Sequence, residues 1–274
     1  AGRQKASSKV FVISDIHYDC RGAEEWVENI DDFKFQEDIL LVAGNVGDTL
    51  KATLAGLRAL RRKFHRLFFV PGNHEFWVHP SELRRFPDSI AKLTALLQAC
   101  HEIDVDTFPA QVAADLFIVP LFSWYNYEFD VQDPLPDPTV GKLFDSHCKW
   151  PMPPTDVWHF MLTLNRPLLE LPYKDNVVTF SHFLPHVDLP FDKKVPKVAK
   201  VTGCTGLATQ IKAVKSSVHV CGHSRKRCAT TLDNLLYVNH SLGYQKEHSE
   251  TEPLMCVFNG VGTTTRTIPI GSAN

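Results

Sequence analysis

The chain has 274 residues, 44% of them hydrophobic and 22% charged, and its formal net charge is -2. This is a globular composition with enough length for a large buried core, and a near-neutral chain argues against nucleic acid or an anionic membrane as the default partner. No apolar run approaches the length of a membrane span. We expect one domain over residues 10–270, because α/β domains often reach this size.

Residues 1–9 are polar and lack the apolar centre of a secretory signal, which leaves a tag remnant or the remainder of a removed targeting segment. The seven cysteines are odd in number, and none of them forms a C-x-x-C pair. We therefore predict reduced thiols in an intracellular, cytoplasmic protein, without a disulfide framework or a cysteine zinc site. A removed organellar targeting segment is the alternative.

The first third of the chain alternates apolar runs with segments of helical character. The apolar runs, typical of strands buried on both faces, are residues 10–13, 39–43 and 67–70. The predicted helices are residues 23–30, 49–64 and 88–100. This order predicts parallel strand pairing with right-handed crossovers.

The middle of the chain has a different character. Residues 105–122 are predicted to form short strands, and residues 123–154 form a long, aromatic and proline-rich loop. A loop of this length is either a lid over a site or a packed surface excursion. Its aromatic side chains Trp124, Tyr125 and Tyr127 either stack on a ligand ring or pack in the core.

The last part of the chain returns to strands and helices. Helices are predicted over residues 156–171 and 205–214. Strands are predicted over residues 176–180, 218–221, 228–231, 235–238, 255–258 and 264–268.

Polar side chains follow five of the predicted strands, at the points where those strands end. Because the carboxyl ends of parallel strands meet at one sheet edge, we expect these side chains to converge there. Oxygen and imidazole donors without a thiolate suit Mn, Fe, Zn or Ni, so we predict a divalent transition metal as cofactor. The side chains are those of Asp15, His17, Asn45, Asp48, Asn73, His74, His182, His223 and Arg225.

The order of these groups resembles the signature of the calcineurin-like metallophosphoesterase superfamily, which reads D-x-H, G-D-x-x-D, G-N-H-E, H and G-H-x-H. Here it stands as Asp15-Ile16-His17, Gly44-Asn45-Val46-Gly47-Asp48, Gly72-Asn73-His74-Glu75, His182 and Gly222-His223-Ser224-Arg225. Two further segments look like a plant and bacterial branch of that superfamily, namely Ser181-His182-Phe183-Leu184-Pro185 and Leu242-Gly243-Tyr244. The resemblance implies an α/β fold, a four-layer α/β/β/α sandwich, and it is less specific for substrate than for fold.

In that family two metal ions lie side by side, and a hydroxide between them attacks phosphorus. The resemblance implies catalytic roles for His74, as the acid for the leaving oxygen, and for Asp48, which orients it. The implied metal-binding residues are Asp15 and His17 at the first site, Asn73, His182 and His223 at the second, and Asn45 at the bridging position.

Two positions depart from the family pattern. Asn45 stands where the family has its bridging aspartate, and Arg225 stands where it has the last metal-binding histidine. An amide oxygen is neutral and bridges poorly, and a guanidinium has no lone pair to give. We therefore predict one ion at the second site, or none, rather than a filled pair. Arg225 is either a solvated loop residue turned away from the site or a cation that replaces the missing metal and binds a phosphate oxygen.

The first functional hypothesis is a metal-dependent phosphomonoesterase or phosphodiesterase, acting on a phosphate ester with a weakened or mononuclear metal site. The alternative is a binding or scaffold protein that keeps the fold without turnover and has a protein partner. A third is a sensor that binds a phosphate ester without hydrolysing it.

Overall fold

Three apolar strands near the start of the chain pair in parallel, as predicted. In the computed structural model, which describes residues 8–174, 176–193, 195–245 and 254–260, they form one sheet of a mixed α/β fold. The strands are β1 (Val10–Ile13), β2 (Phe35–Ala43) and β3 (Phe64–Val70). A fourth strand pairs with β1 in the antiparallel direction. It is β10 (Met255–Phe258), so the sheet order is β10-β1-β2-β3.

The second sheet has six strands in the order β4-β5-β6-β7-β9-β8, with its outer strands β4 and β8 antiparallel to their neighbours. Its four inner strands pair in parallel, so their carboxyl ends share one edge. The strands are β4 (Ala110–Ala113), β5 (Leu116–Pro120), β6 (Asn176–Phe180), β7 (Val218–Cys221), β8 (Cys228–Leu232) and β9 (Leu235–Asn239). The strand predicted over residues 264–268 lies outside the described residues.

The helices are α1 (Ala23–Glu28), α2 (Leu50–Arg61), α3 (Ser89–Glu102), α4 (Thr139–Phe144), α5 (Val157–Leu164), α6 (Arg166–Leu169), α7 (Pro196–Ala199) and α8 (Gly206–Ala213). The single helix predicted over residues 156–171 is interrupted at Asn165. Pro167 has no backbone N–H, so it cannot continue the helical hydrogen bonds. The Asn165 side chain instead accepts from the N–H of Phe122 and donates to its carbonyl, at 2.8 Å each.

Successive side chains of each strand point to opposite faces, and three apolar clusters result. On the first sheet, Leu40 and Val42 pack with the helices of the first third of the chain, whereas Leu41 packs with residues of the second sheet. On the second sheet, Val178 joins that shared cluster, whereas Val177 packs with Ile211 of α8 and its surroundings. The two sheets thus share one apolar cluster, and each has a further cluster on its other face.

The long loop over residues 123–154 is held by its aromatic side chains and contains α4. Trp124, Tyr125 and Tyr127 are 1%, 2% and 3% exposed, and they pack in one cluster with Phe76. Of the two alternatives for these rings, packing is therefore the one observed.

None of the helices within the described ranges combines the length and the hydrophobicity of a membrane span. All seven cysteines are free thiols, as predicted.

Candidate active site

The polar loops that follow β1 and β2 of the first sheet and β7 of the second sheet meet in an unusual backbone conformation, so the site lies where two sheets come together rather than at the single sheet edge that we predicted. Asp15, His17, Asn45, His223 and Arg225 all have left-handed φ angles, between 47° and 62°. Backbone bonds join two of these loops, because the N–H groups of Asp15 and His17 donate to the carbonyls of Gly44 and Asn45. Asn, Asp and His adopt this region more readily than most residues, which suits four of the five positions.

Two glycines allow the loops to approach this closely. A Cβ atom on Gly44, whose φ is +82°, would lie 2.5 Å from Nδ1 of His182. A Cβ atom on Gly72 would lie 2.2 Å from Oδ1 of Asn45. No larger side chain fits at either position without displacing a site residue.

The Glu75 carboxylate fixes two of the loops to each other. It is fully buried and accepts hydrogen bonds from the backbone N–H groups of Asn45, Val46, Gly47 and Gly72, at 2.6–3.2 Å. Burial raises the pKa of Glu75, and these four donors oppose the rise. The sequence motif contains Glu75, but nothing in the motif predicts this role.

Two unprotonated acceptor atoms face each other at the predicted second metal position. Nδ1 of His182 donates to the carbonyl of Ala43 at 2.8 Å, so its Nε2 carries a lone pair. That Nε2 lies 3.2 Å from Oδ1 of Asn73. The Asn73 amide is oriented by its Nδ2, which donates to Oδ1 of Asp145 at 2.8 Å. Burial lowers the pKa of His182 to about 3, so no proton relieves this contact near neutral pH.

His223 adds a third neutral donor. Its Nε2 donates to the carbonyl of Val201 at 2.8 Å, so its Nδ1 carries the lone pair, and its ring centroid lies 5.1 Å from that of His182. Burial and the neighbouring His182 lower the pKa of His223 to about 3. Backbone carbonyls that fix both imidazole tautomers are typical of metal-binding histidines. The donor set of His182, His223 and Asn73 therefore fits one borderline-soft divalent ion.

The predicted first metal position is arranged differently. The Asp15 carboxylate accepts from the Ser14 hydroxyl at 2.6 Å, from the His223 N–H at 3.0 Å and from Nδ2 of Asn45 at 3.1 Å. Oδ1 of Asn45 accepts from the His74 N–H at 3.2 Å. Asn45 thus presents a hydrogen-bond donor to Asp15, where a bridging carboxylate would present an acceptor.

His74 and Asp48 form a close pair, with 2.7 Å between Nδ1 and Oδ1. Burial lowers the pKa of His74, but the hydrogen bond and charge of Asp48 outweigh burial and raise it overall. Burial raises the pKa of Asp48, and the same pairing lowers it overall. The His17 ring lies 4.7 Å from that of His74, and burial followed by His74 lowers the pKa of His17 to about 4.

Donor atoms of His17, Asp48 and His74 lie within 4.8 Å of one another, so these three residues also make a candidate metal-binding group. An ion bound there would take two side chains, His74 and Asp48, that otherwise pair with each other. The acid role and this metal site are therefore competing uses of the same side chains.

All the predicted site residues except Asp48 and His182 line one cavity of about 340 Å³. Arg225 is exposed, as expected for a solvated loop residue. Its side chain nevertheless lines this cavity, so it does not turn away from the site. Its Cζ lies 4.8 Å from the centroid of the Tyr244 ring, which stacks on His17 at 4.9 Å.

Three residues of the site were missed in the sequence, namely Trp77, Asp145 and Tyr244. The Trp77 ring lies 3.8 Å from that of His74, and its Nε1 donates to Asp145 at 2.8 Å. Trp77 follows the Gly72–Glu75 motif by two positions, and Tyr244 belongs to the Leu242-Gly243-Tyr244 segment that resembles the family, but neither residue was given a role. Asp145 comes from the long loop, and no sequence pattern connects it to Asn73.

Comparisons with known proteins show the family and the fold of this chain. A sequence model of the calcineurin-like phosphoesterase family matches residues 8–224. The chain is 28% identical to the acyl-carrier-protein phosphodiesterase PptH of Mycobacterium tuberculosis, over 90% of this chain and 82% of that protein. It also resembles the crystal structure of phosphopantetheinyl hydrolase (PptH) from Mycobacterium tuberculosis, with a TM-score of 0.76 and 24% identity over 92% of this chain and 96% of that one. At this identity, the structural likeness shows the fold alone.

Proposed function

Since the chain belongs to the calcineurin-like phosphoesterase family, we propose that it is a phosphoester hydrolase that works with one divalent metal ion rather than two. One observation carries the proposal. Nε2 of His182 and Oδ1 of Asn73 face each other at 3.2 Å as two acceptors, and a cation between them would turn this repulsion into binding.

His182, Asn73 and His223 would hold that ion. When bound, it supplies a Lewis acid for a phosphoryl oxygen and lowers the pKa of a bound water. The Asn45 amide disfavours a second ion, because its Nδ2 is a donor directed at Asp15.

His74 is proposed as the general acid of the reaction. It lines the cavity, and its Nδ1 is held by Asp48 at 2.7 Å. The raised pKa of His74 increases the fraction of imidazolium available near neutral pH. In the hydrolysis, water adds to phosphorus and releases one proton to solvent, one P–O bond breaks, and the proton of His74 goes to the leaving oxygen.

For the substrate, we propose a phosphodiester that joins a phosphopantetheinyl group to an acyl carrier protein. The similarity to PptH, which extends over most of both chains, supports this choice. The cavity also suits a phosphate with an apolar arm, because Trp77, Phe144 and Val201 line it together with Arg225.

The second candidate function is a binding protein without turnover. It is favoured by Asn45 and Arg225, which replace two of the family's metal-binding groups. A protein of this kind would bind the phosphate ester and leave it intact.

The experiment compares hydrolysis of bis-p-nitrophenyl phosphate and of a phosphopantetheinyl acyl carrier protein, with added Mn, Ni or Zn. We expect metal-dependent cleavage of both by the wild type and loss of cleavage in His74→Asn. Cleavage of the aryl diester alone would reject the carrier-protein substrate. If the wild type cleaves neither substrate and Asn45→Asp cleaves them, the chain is a binding protein that lacks turnover because of Asn45.

A further inference from the structure

Arg225 is held at the cavity wall by a stack of three side chains. Its guanidinium lies over the Tyr244 ring, with 4.8 Å from Cζ to the ring centroid. Tyr244 in turn stacks on His17 with 22° between the ring planes. A cation over an aromatic face is attracted to it, so this stack restricts where the guanidinium lies.

The cavity wall carries charged side chains of both signs. The carboxylates lining the cavity are Asp15 and Asp192. Asp15 already accepts three hydrogen bonds from Ser14, Asn45 and His223. The arginine and lysine side chains on the wall are Arg225 and Lys226.

A phosphate group in a site with a single metal ion lacks the charge that a second ion would supply. A guanidinium offers two parallel N–H donors that match two phosphate oxygens, which an ammonium cannot do. From its place on the wall and its charge, we infer that Arg225 is a phosphate-binding residue of this site, a role that rests on the proposed function.

The test uses inorganic phosphate and the metal-free protein, so it depends neither on turnover nor on a bound ion. Isothermal titration calorimetry compares the wild type with Arg225→Ala, Arg225→Lys and two matched controls. Lys226→Ala removes a neighbouring charge from the same wall, and Arg84→Ala removes an exposed arginine that does not line the cavity.

We expect Arg225→Ala to weaken phosphate binding at least tenfold and Arg225→Lys to restore only part of the loss. Lys226→Ala should weaken binding less than threefold, and Arg84→Ala should leave it unchanged. Equal losses in Arg225→Ala and Lys226→Ala would overturn the assignment, since they would indicate a general charge effect. The absence of phosphate binding by the metal-free wild type would overturn it as well, whereas absent hydrolysis alone would count only against the proposed function.

Discussion

Nε2 of His182 and Oδ1 of Asn73 lie 3.2 Å apart, and neither atom has a hydrogen to share with the other. The backbone carbonyl of Ala43 and the carboxylate of Asp145 fix both groups in this orientation. Buried acceptors in such proximity are costly unless a donor or a cation joins them. The contact is therefore the most direct structural sign of an ion-binding role.

The first prediction concerns metal stoichiometry. We expect the wild type to bind one Zn or Mn ion per chain, measured by elemental analysis after dialysis against micromolar metal. His182→Phe keeps a ring of similar volume but removes the lone pair. It should weaken metal binding by at least about 100-fold, since even outer-sphere changes cost about 10–100-fold. His186→Asn, a histidine outside the cavity, is the control, and two tightly bound ions in the wild type would contradict the prediction.

The second prediction concerns the pH dependence of hydrolysis. His74 acts in its protonated form, so activity should fall as pH rises through its pKa, which Asp48 holds above the ordinary value of 6.5. Asp48→Asn removes both the charge and the acceptor that raise it. The alkaline limb of the rate profile should therefore move to lower pH, and kcat should fall by about 10²-fold.

An NMR titration of the His74 ring checks the same shift without turnover. The exposed Asp115→Asn serves as the control, because that side chain lies in a turn outside the cavity. An unchanged His74 titration in Asp48→Asn would show that the pair does not set this pKa.

The third prediction connects the long loop to the metal site. Oδ1 of Asp145 accepts from Nδ2 of Asn73 and from Nε1 of Trp77, at 2.8 Å each. Asp145→Asn weakens both contacts and frees the Asn73 amide to rotate. Metal affinity, measured by calorimetry, should fall by about 10–100-fold. Asp137→Asn, a change in the same loop at a carboxylate that bonds to Thr139 instead, should have no effect. Equal metal affinities of Asp145→Asn and the wild type would show that Asn73 does not need the Asp145 contact.

Two left-handed glycines provide the fourth prediction. Gly44 and Gly22 have φ angles of +82° and +84°, but their surroundings differ. An added Cβ at Gly44 meets the His182 ring and the Gly72 backbone, whereas at Gly22 it meets the end of the flexible Gln245 side chain. By chemical denaturation, Gly44→Ala should cost about 2–5 kcal/mol and Gly22→Ala about 1–2 kcal/mol. Similar costs would show that the crowding at Gly44 is relieved easily.

The sequence predicted most of the sheets and the main site residues, for a physical reason. Continuous apolar runs are typical of strands buried on both faces, so the bounds of Val10–Ile13 and Asn176–Phe180 were predicted correctly. Polar residues directly after parallel strands of one sheet gather at one edge of that sheet. That rule found the residues, but it did not predict that Asp15 and His223 follow strands of two different sheets whose ends meet.

The features of the fold and of the site that the sequence did not predict depend on contacts between distant segments. The hydrogen bond from Asn73 to Asp145 joins residues 72 positions apart, and no local sequence pattern indicates it. The antiparallel pairing of β10 with β1 depends on residues 255–258 returning to the first sheet, which their own sequence does not indicate. The break at Asn165 was missed because apolar spacing continues across Pro167, while the backbone hydrogen bonds cannot.

The left-handed backbone at Asn45, with φ of 56°, has a consequence for how this position can vary. Asparagine and aspartate both tolerate that conformation, and they have nearly the same shape. An exchange between them leaves the main chain undisturbed and alters only one terminal atom and one unit of charge. The scaffold can thus move between amide and carboxylate chemistry in a single step without a backbone penalty, and the change acts on Asp15, which loses the donor that Nδ2 of Asn45 supplies.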